Sequence, residues 1–141
     1  MVDLTHQVPI DAPAARVYAA VTTAAGNRGW WTADSTVDEK VGGSAEFGFE
    51  KRAVVFHMRI DRLVPDRELV MSCHGGPPEW QGTTLRWRID SDGKQSILRF
   101  THGGWKELTD YCAGCNSMWG RLMYRLKDFV EGGKPDPQWR E

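Results

Sequence analysis

The stretch from Thr109 to Glu131 limits what this chain can fold into more than any other part of it. Tyr111, Cys115, Met118, Trp119, Leu122, Leu126, Phe129 and Val130 recur at three- and four-residue steps, while Asp110, Ser117, Arg121, Arg125 and Asp128 take the other side. The spacing predicts one long amphipathic helix. Thr109 is placed to cap its start, Lys127 and Glu131 form an i, i+4 pair, and Gly132-Gly133 with Pro135 and Pro137 ends it. At 1.5 Å per residue the helix is roughly 34 Å long, about the width of a small domain. Its apolar face therefore needs an apolar surface of similar length to lie on.

The middle of the chain supplies that surface with a period of two. Phe47 and Phe49 alternate with small or charged residues, and Val54, Phe56, Met58 and Ile60 alternate with Val55, His57, Arg59 and Asp61. Leu69, Met71 and Cys73 mark one face of the next strand. Leu85, Trp87 and Ile89 then lead through Asp92-Gly93 to Leu98, Phe100 and His102, the clearest hairpin in the chain. Ahead of these, Val2 to Ile10 reads as a first strand. Asp11-Ala12-Pro13 reads as the start of a helix carrying Ala14, Val17, Tyr18 and Val21 on one stripe, until Gly26 and Gly29 interrupt it. A second short helix or tight loop is expected around Trp30-Trp31. The sum is an α+β domain spanning residues 1–141: a curved antiparallel sheet of about six strands wrapped around a long C-terminal helix, with two short helices after the first strand.

Charge and cysteine content remove several classes of function. Eighteen Lys+Arg against nineteen Asp+Glu leave a formal net charge of −1, with the basic residues scattered, so nucleic acid is not an expected partner. The N-terminus has neither the basic nor the apolar region of a secretion signal, and no apolar run is long enough to span a membrane. Three cysteines are too few for a disulfide framework and fit a reducing, cytoplasmic setting. The surplus is aromatic: seven Trp, five Phe and three Tyr carry more apolar area than a core of this size needs.

Four stretches carry a resemblance: "VPIDAPAARVYAAVT", the Trp30-Trp31 pair, "LRFTHGGW", and "YCAGCNSMWGRLMYRLKDFVEGGKPDP" with its Cys115, Trp119, Leu122, Leu126, Lys127, Glu131, Gly133 and Pro137. They resemble the START-like (SRPBCC, helix-grip) superfamily and, within it, the domain related to the C-terminal part of the activator of Hsp90 ATPase. The resemblance spans nearly the whole chain. It implies a helix-grip fold with a hydrophobic cavity between sheet and long helix, and a ligand-binding role connected with stress. It does not carry over activation of Hsp90, because the activator has a further N-terminal domain that this sequence lacks.

The residues reach the same cavity independently. Phe47, Phe49, Phe56, Met58, Leu85, Trp87 and Phe100 line the inward sheet face, opposite Tyr111, Cys115 and Trp119 on the helix. Adjacent tryptophans on a helix diverge by about 100°, so one of Trp30 and Trp31 is expected at the pocket rim or under the loop that carries Trp80. His102, on the apolar face ahead of Gly103-Gly104, is either a polar contact at the pocket mouth or a strand-end histidine bonded to backbone. Cys112-Ala113-Gly114-Cys115 has the spacing of a redox or half-metal site. However, no strand leads into it as in a redox βαβ unit, and no second ligand pair exists, so a small core residue with a chance neighbour is the preferred reading.

No nucleophile elbow, zinc-protease motif or phosphate-cradling loop is present. Nothing demands an enzyme, and no catalytic residue, metal or cofactor is assigned. The first reading is a protein that binds an apolar, lipid-like or aromatic small molecule through Trp30, Trp31, Phe47, Phe56, Met58, Trp80, Trp87, Phe100, His102, Tyr111, Cys115 and Trp119. An enzyme of the polyketide cyclase or aromatase type is the second and a chaperone-interacting module the third, with homodimerisation left open. The first two need a cavity of ~300 Å³ or more beneath Trp30 or Trp80.

Overall fold

The computed structural model describes residues 1–141. In chain order the elements are β1 (Val2–Ile10), α1 (Ala14–Thr22), α2 (Ala24–Trp30), β2 (Asp34–Val37), β3 (Ser44–Phe49), β4 (Val54–Val64), β5 (Glu68–Gly75), β6 (Thr84–Ser91), β7 (Ser96–Trp105) and α3 (Asp110–Gly132). The strands form one antiparallel sheet in the order β1-β7-β6-β5-β4-β3-β2. The sheet has seven strands rather than six. The additional one, β2, is only four residues long and polar, so it shows no apolar alternation; it forms because Asp34 to Val37 pair with Gly48 to Ala45 at the sheet edge.

The period-two residues all face one side. Met58 and Ile60, Leu69 and Met71, Leu85 and Trp87, and Leu98 and Phe100 are each nearly or completely buried, whereas Arg59, Arg86, Arg88 and Arg99 are exposed. Bulges near Val2, His57 and Ile60 shift the register and bend the strands that carry them.

Helix α3 runs between the two caps its sequence predicts. Thr109 Oγ1 accepts a hydrogen bond from the Cys112 N–H at 3.1 Å, and Gly133 takes the left-handed conformation, φ 74°. Lys127 Nζ donates to Glu131 Oε2 at 2.6 Å and to the Pro9 carbonyl at 2.8 Å, while the Asp11 N–H donates to Glu131 Oε2 at 2.7 Å. The predicted helix pair thus fastens the helix end to the end of β1. These bonds hold the Glu131 carboxyl below its ordinary pKa, the Asp11 N–H first and the Lys127 ammonium second.

Asp11 does not cap α1. Pro13 takes that position without a side-chain bond, and Asp11, two residues earlier, donates its N–H to Glu131 near the end of α3. Gly26 and Gly29, read as interruptions, lie inside α2 because the helix packs too closely for side chains there. A Cβ on Gly26 would sit 2.6 Å from the Ala20 carbonyl oxygen, and one on Gly29 would enter the Phe129 ring.

After α3 the chain turns back along the α2–β2 connection. The N–H groups of Asp136, Gln138 and Trp139 donate to the carbonyls of Gly29, Trp30 and Trp31, and Ala33 N–H donates to the Trp139 carbonyl. No helix is long and apolar enough to cross a membrane.

Replacing Gly26 by Ala is expected to cost about 3 kcal/mol, because the obstruction is backbone and cannot yield. Gly120→Ala, whose Cβ would meet only His6 at 3.8 Å, is expected to gain up to about 1 kcal/mol in helix propensity. Urea denaturation midpoints measure both.

Candidate functional site

The centre of the sheet–helix interface is filled. Trp30, Trp31, Phe47, Met58, Trp87, Phe100, His102 and Trp119 are all at most 2% exposed. The two adjacent tryptophans both point inward, contrary to the divergence argument. Trp30 closes α2, and the backbone leaves helical geometry at Trp31 (φ −99°, ψ −80°), so the indoles stack at 5.6 Å with 13° between their planes. Trp30 donates to the Ala20 carbonyl at 2.9 Å, and Trp31 stacks on Phe47 at 4.4 Å.

His102 lies in this packed centre. The Trp119 indole N–H donates to its Nδ1 at 3.0 Å, and its Nε2 is 2.9 Å from Thr83 Oγ1. An indole nitrogen can only donate, so Nδ1 is the acceptor, the proton resides on Nε2, and Nε2 donates to Thr83. Thr83 Oγ1 in turn donates to the Trp80 carbonyl at 2.6 Å. Burial lowers the histidine pKa to about 3. With both ring nitrogens engaged, His102 is neither a pocket-mouth contact nor bonded to backbone.

Free space survives at one end of the interface. A cleft of about 350 Å³ is lined by thirteen residues, eleven of them hydrophobic. The sheet contributes Phe49, Val54 and Phe56, and the turn between β3 and β4 contributes Glu50. Trp31 and Trp80 lie on the inner side, Trp139 comes from the returning tail, and α3 presents Tyr111, Gly114, Cys115, Met118, Trp119 and Leu122. The predicted helix stripe therefore divides: Leu126 and Val130 are buried in the core away from the cleft, Leu122 is buried at its inner edge, and Tyr111, 41% exposed, and the half-buried Cys115 and Met118 face the cleft. Depressions of about 480 and 720 Å³ elsewhere are charged surface grooves, one around Asp90 to Asp92 and the other around Arg62 to Arg67.

Of the residues proposed from sequence, Trp31, Phe56, Trp80, Tyr111, Cys115 and Trp119 come together around the cleft, while Trp30, Phe47, Met58, Trp87, Phe100 and His102 lie in the filled centre. Trp80 is 3% exposed and stacks on Phe56 at 4.0 Å, so it is a wall rather than an outer rim. Sequence reasoning missed Trp139, which meets Phe49 edge to face at 4.9 Å. A tryptophan in a proline-rich tail, with no periodicity to account for it, was the available signal.

The chemistry of the cleft is that of donors. Burial raises the pKa of the Tyr111 phenol and of the Cys115 thiol, so both stay protonated at neutral pH. Cys112, in the first turn of α3, is also raised by burial, the opposite of what activation by the helix dipole requires. All three cysteines are free.

This fold, an open antiparallel sheet gripped by a long C-terminal helix, defines a START-like, SRPBCC-type domain. Residues 11–131 match the family described as activator of Hsp90 ATPase homolog 1-like protein, and the chain belongs to that family. The solution structure of the Aha1 dimer from Colwellia psychrerythraea is 32% identical, with a TM-score of 0.85 over 95% of this chain and 99% of that one. DynU16, a protein of the dynemicin biosynthetic locus, is 20% identical with a TM-score of 0.79; the match covers 99% of this chain and 51% of that one. CalU16 from Micromonospora echinospora is 20% identical with a TM-score of 0.75, over 96% of this chain and 78% of that one. No curated protein matches the chain.

His102 gives the core a pH dependence. Its folded pKa is depressed from 6.5 to about 3, so the unfolded chain binds the extra proton first and stability falls as pH drops from about 6.5 toward about 3. By pH 5 the loss is expected to reach about 2 kcal/mol. Urea denaturation between pH 7 and 5 checks this, and His102→Gln is expected to flatten the slope.

Proposed function

We propose that the protein binds an apolar or aromatic small molecule in the cleft between the ends of β3 and β4, Trp80 and the first turns of α3. The observation that carries this reading is the cleft itself. Its volume of about 350 Å³ and its hydrophobic lining match the size and character of small-molecule sites. An interior filled throughout would instead have favoured a role as a protein-interaction module.

The donor chemistry favours binding over catalysis. A polyketide cyclase-like enzyme that abstracts a proton needs a base in contact with substrate; His102 is sealed in the core, and burial keeps Tyr111 and Cys115 protonated at neutral pH, so neither serves as that base. Glu50 is the one carboxylate of the lining.

We propose a homodimer as the assembly, in line with the dimeric Colwellia relative, and a reducing cytoplasmic setting, in line with three free thiols. Chaperone contact rests on the family membership alone.

Cys115 lies in the cleft and reports on occupancy. N-phenyl-1-naphthylamine, an uncharged aromatic amine, is expected to slow Cys115 alkylation by iodoacetamide at least fivefold at saturation, read by mass spectrometry of the intact and digested protein. Gly114→Leu places a side chain in open cleft space and is expected to weaken the amine at least tenfold without changing the unfolding free energy by more than about 1 kcal/mol. Unchanged alkylation with the amine present would remove this reading. Light scattering is expected to give twice the monomer mass.

A further inference from the structure

We propose that the cleft selects a cationic ligand, an aromatic body carrying an ammonium group, with the body against the rings of the cleft and the charge at its mouth beside Glu50. The inference rests on the binding role proposed above and adds the charge of the ligand.

The observation behind it is an unmatched carboxylate. Glu50 is the only ionic side chain of the lining, which holds no Lys, Arg or His. It is exposed at the turn between β3 and β4, and no ion pair engages it. Its two neighbours in that turn are cations, yet both are drawn elsewhere. Lys51 Nζ lies 3.9 Å from the Glu141 carboxylate, and Arg52 spans Asp34 and Glu46 at 2.9 Å each. A second carboxylate acts on the cleft from α3: burial, and with it the charge of Glu79, raises the pKa of the Tyr111 phenol and the Cys115 thiol, both on the wall. Glu79 accepts from the Thr109 hydroxyl at 2.6 Å, a bond that leaves its charge in place.

The rings point the same way as the carboxylates. Seven of the thirteen lining residues are aromatic. An aromatic face carries negative charge density, which attracts a cation placed within about 6 Å of it and repels an anion. Two of these rings are accessible to a ligand: Tyr111, 41% exposed, and the half-buried Trp139. A quaternary ammonium suits such a place. Its methyl groups tolerate an apolar wall, and its charge needs no hydrogen-bond acceptor. An anion of the same shape would meet Glu50, Glu79 and the ring faces with no counter-charge to offset its lost hydration.

The test compares three naphthalenes that share a methylene linker and a tetrahedral head: naphthalen-2-ylmethyl-trimethylammonium, its neutral carbon isostere 2-neopentylnaphthalene, and naphthalen-2-ylmethanesulfonate. Affinity is read from the protection of Cys115 against iodoacetamide, an uncharged reagent, as each compound is titrated at low salt. The ammonium is expected to bind about tenfold more tightly than the sulfonate and at least as tightly as the isostere. Raising NaCl from about 20 to about 500 mM is expected to shrink the preference over the sulfonate at least threefold. Glu50→Gln is expected to weaken the ammonium about threefold while the isostere changes less than about twofold, which also shows the variant to be folded. A sulfonate bound as tightly as the ammonium, or an isostere bound more tightly than it, would overturn the charge inference and leave the apolar binding role standing. Ammonium affinity unmoved in Glu50→Gln would overturn the place given to that carboxylate. Protection by none of the three would overturn the binding role itself, and this inference with it.

Discussion

Helix α3 carries an indole N–H into a largely hydrocarbon interior, where an unpaired donor is costly, and among the buried indoles there those of Trp87 and Trp105 stay unpaired. Trp119 finds His102 Nδ1 on β7. That bond ties the helix to the sheet at one point, and it forces the neutral imidazole tautomer with its proton on the far nitrogen. The proton then goes to Thr83, and the Thr83 hydroxyl goes to the Trp80 carbonyl. A helix, a sheet strand and the connection between β5 and β6 are thereby tied in one directed series. Protonating His102 would set two donors against each other at its first link.

The same series accounts for where the interior is full and where it is open. Beneath the middle of α3, Trp30, Trp31, Trp87, Phe100 and Trp119 meet ring to ring and leave no room. Toward the helix N-terminus the sheet runs out at the turn between β3 and β4, where Glu50, Lys51 and Arg52 all have positive φ. The first turns of α3 consequently project apolar side chains toward strand ends rather than toward a packed face. Trp80 is held back on one side by its carbonyl, and Trp139 is brought in on the other by the returning tail. The cleft is what these walls leave between them.

Much of this was legible in the sequence. Period-two runs identified each long strand and its inward face, because one side of an antiparallel sheet must be buried. The ends of α3 were legible because Thr109 and Gly133 do local work that depends on no distant partner. What escaped depended on contacts between remote segments. β2 exists only through its pairing with β3, Asp11 is bonded by Glu131 from the other end of the chain, and Trp139 is half-buried through a tail whose local sequence reads as irregular. Half of the proposed lining residues lie in the filled centre, because alternation reports the side a residue faces and not how tightly that side is packed. The helix stripe gave no warning that its first turns would stay open.

The density of indoles has an optical consequence. Trp30 and Trp31 lie nearly parallel at 5.6 Å, and Trp31, Trp80 and Trp87 each approach Trp119 within 5.3 to 6.0 Å. At such separations their excited states are shared and not private to single rings. The stacked pair should produce a split circular dichroism band in the near ultraviolet, a signature of the native packing that vanishes when the rings part. Light absorbed by any member of the group can migrate to the lowest-energy indole before it is emitted. A quencher seated against Trp31 or Trp80 would then darken tryptophans it never touches, so the loss of emission would overstate the number of indoles in contact with it.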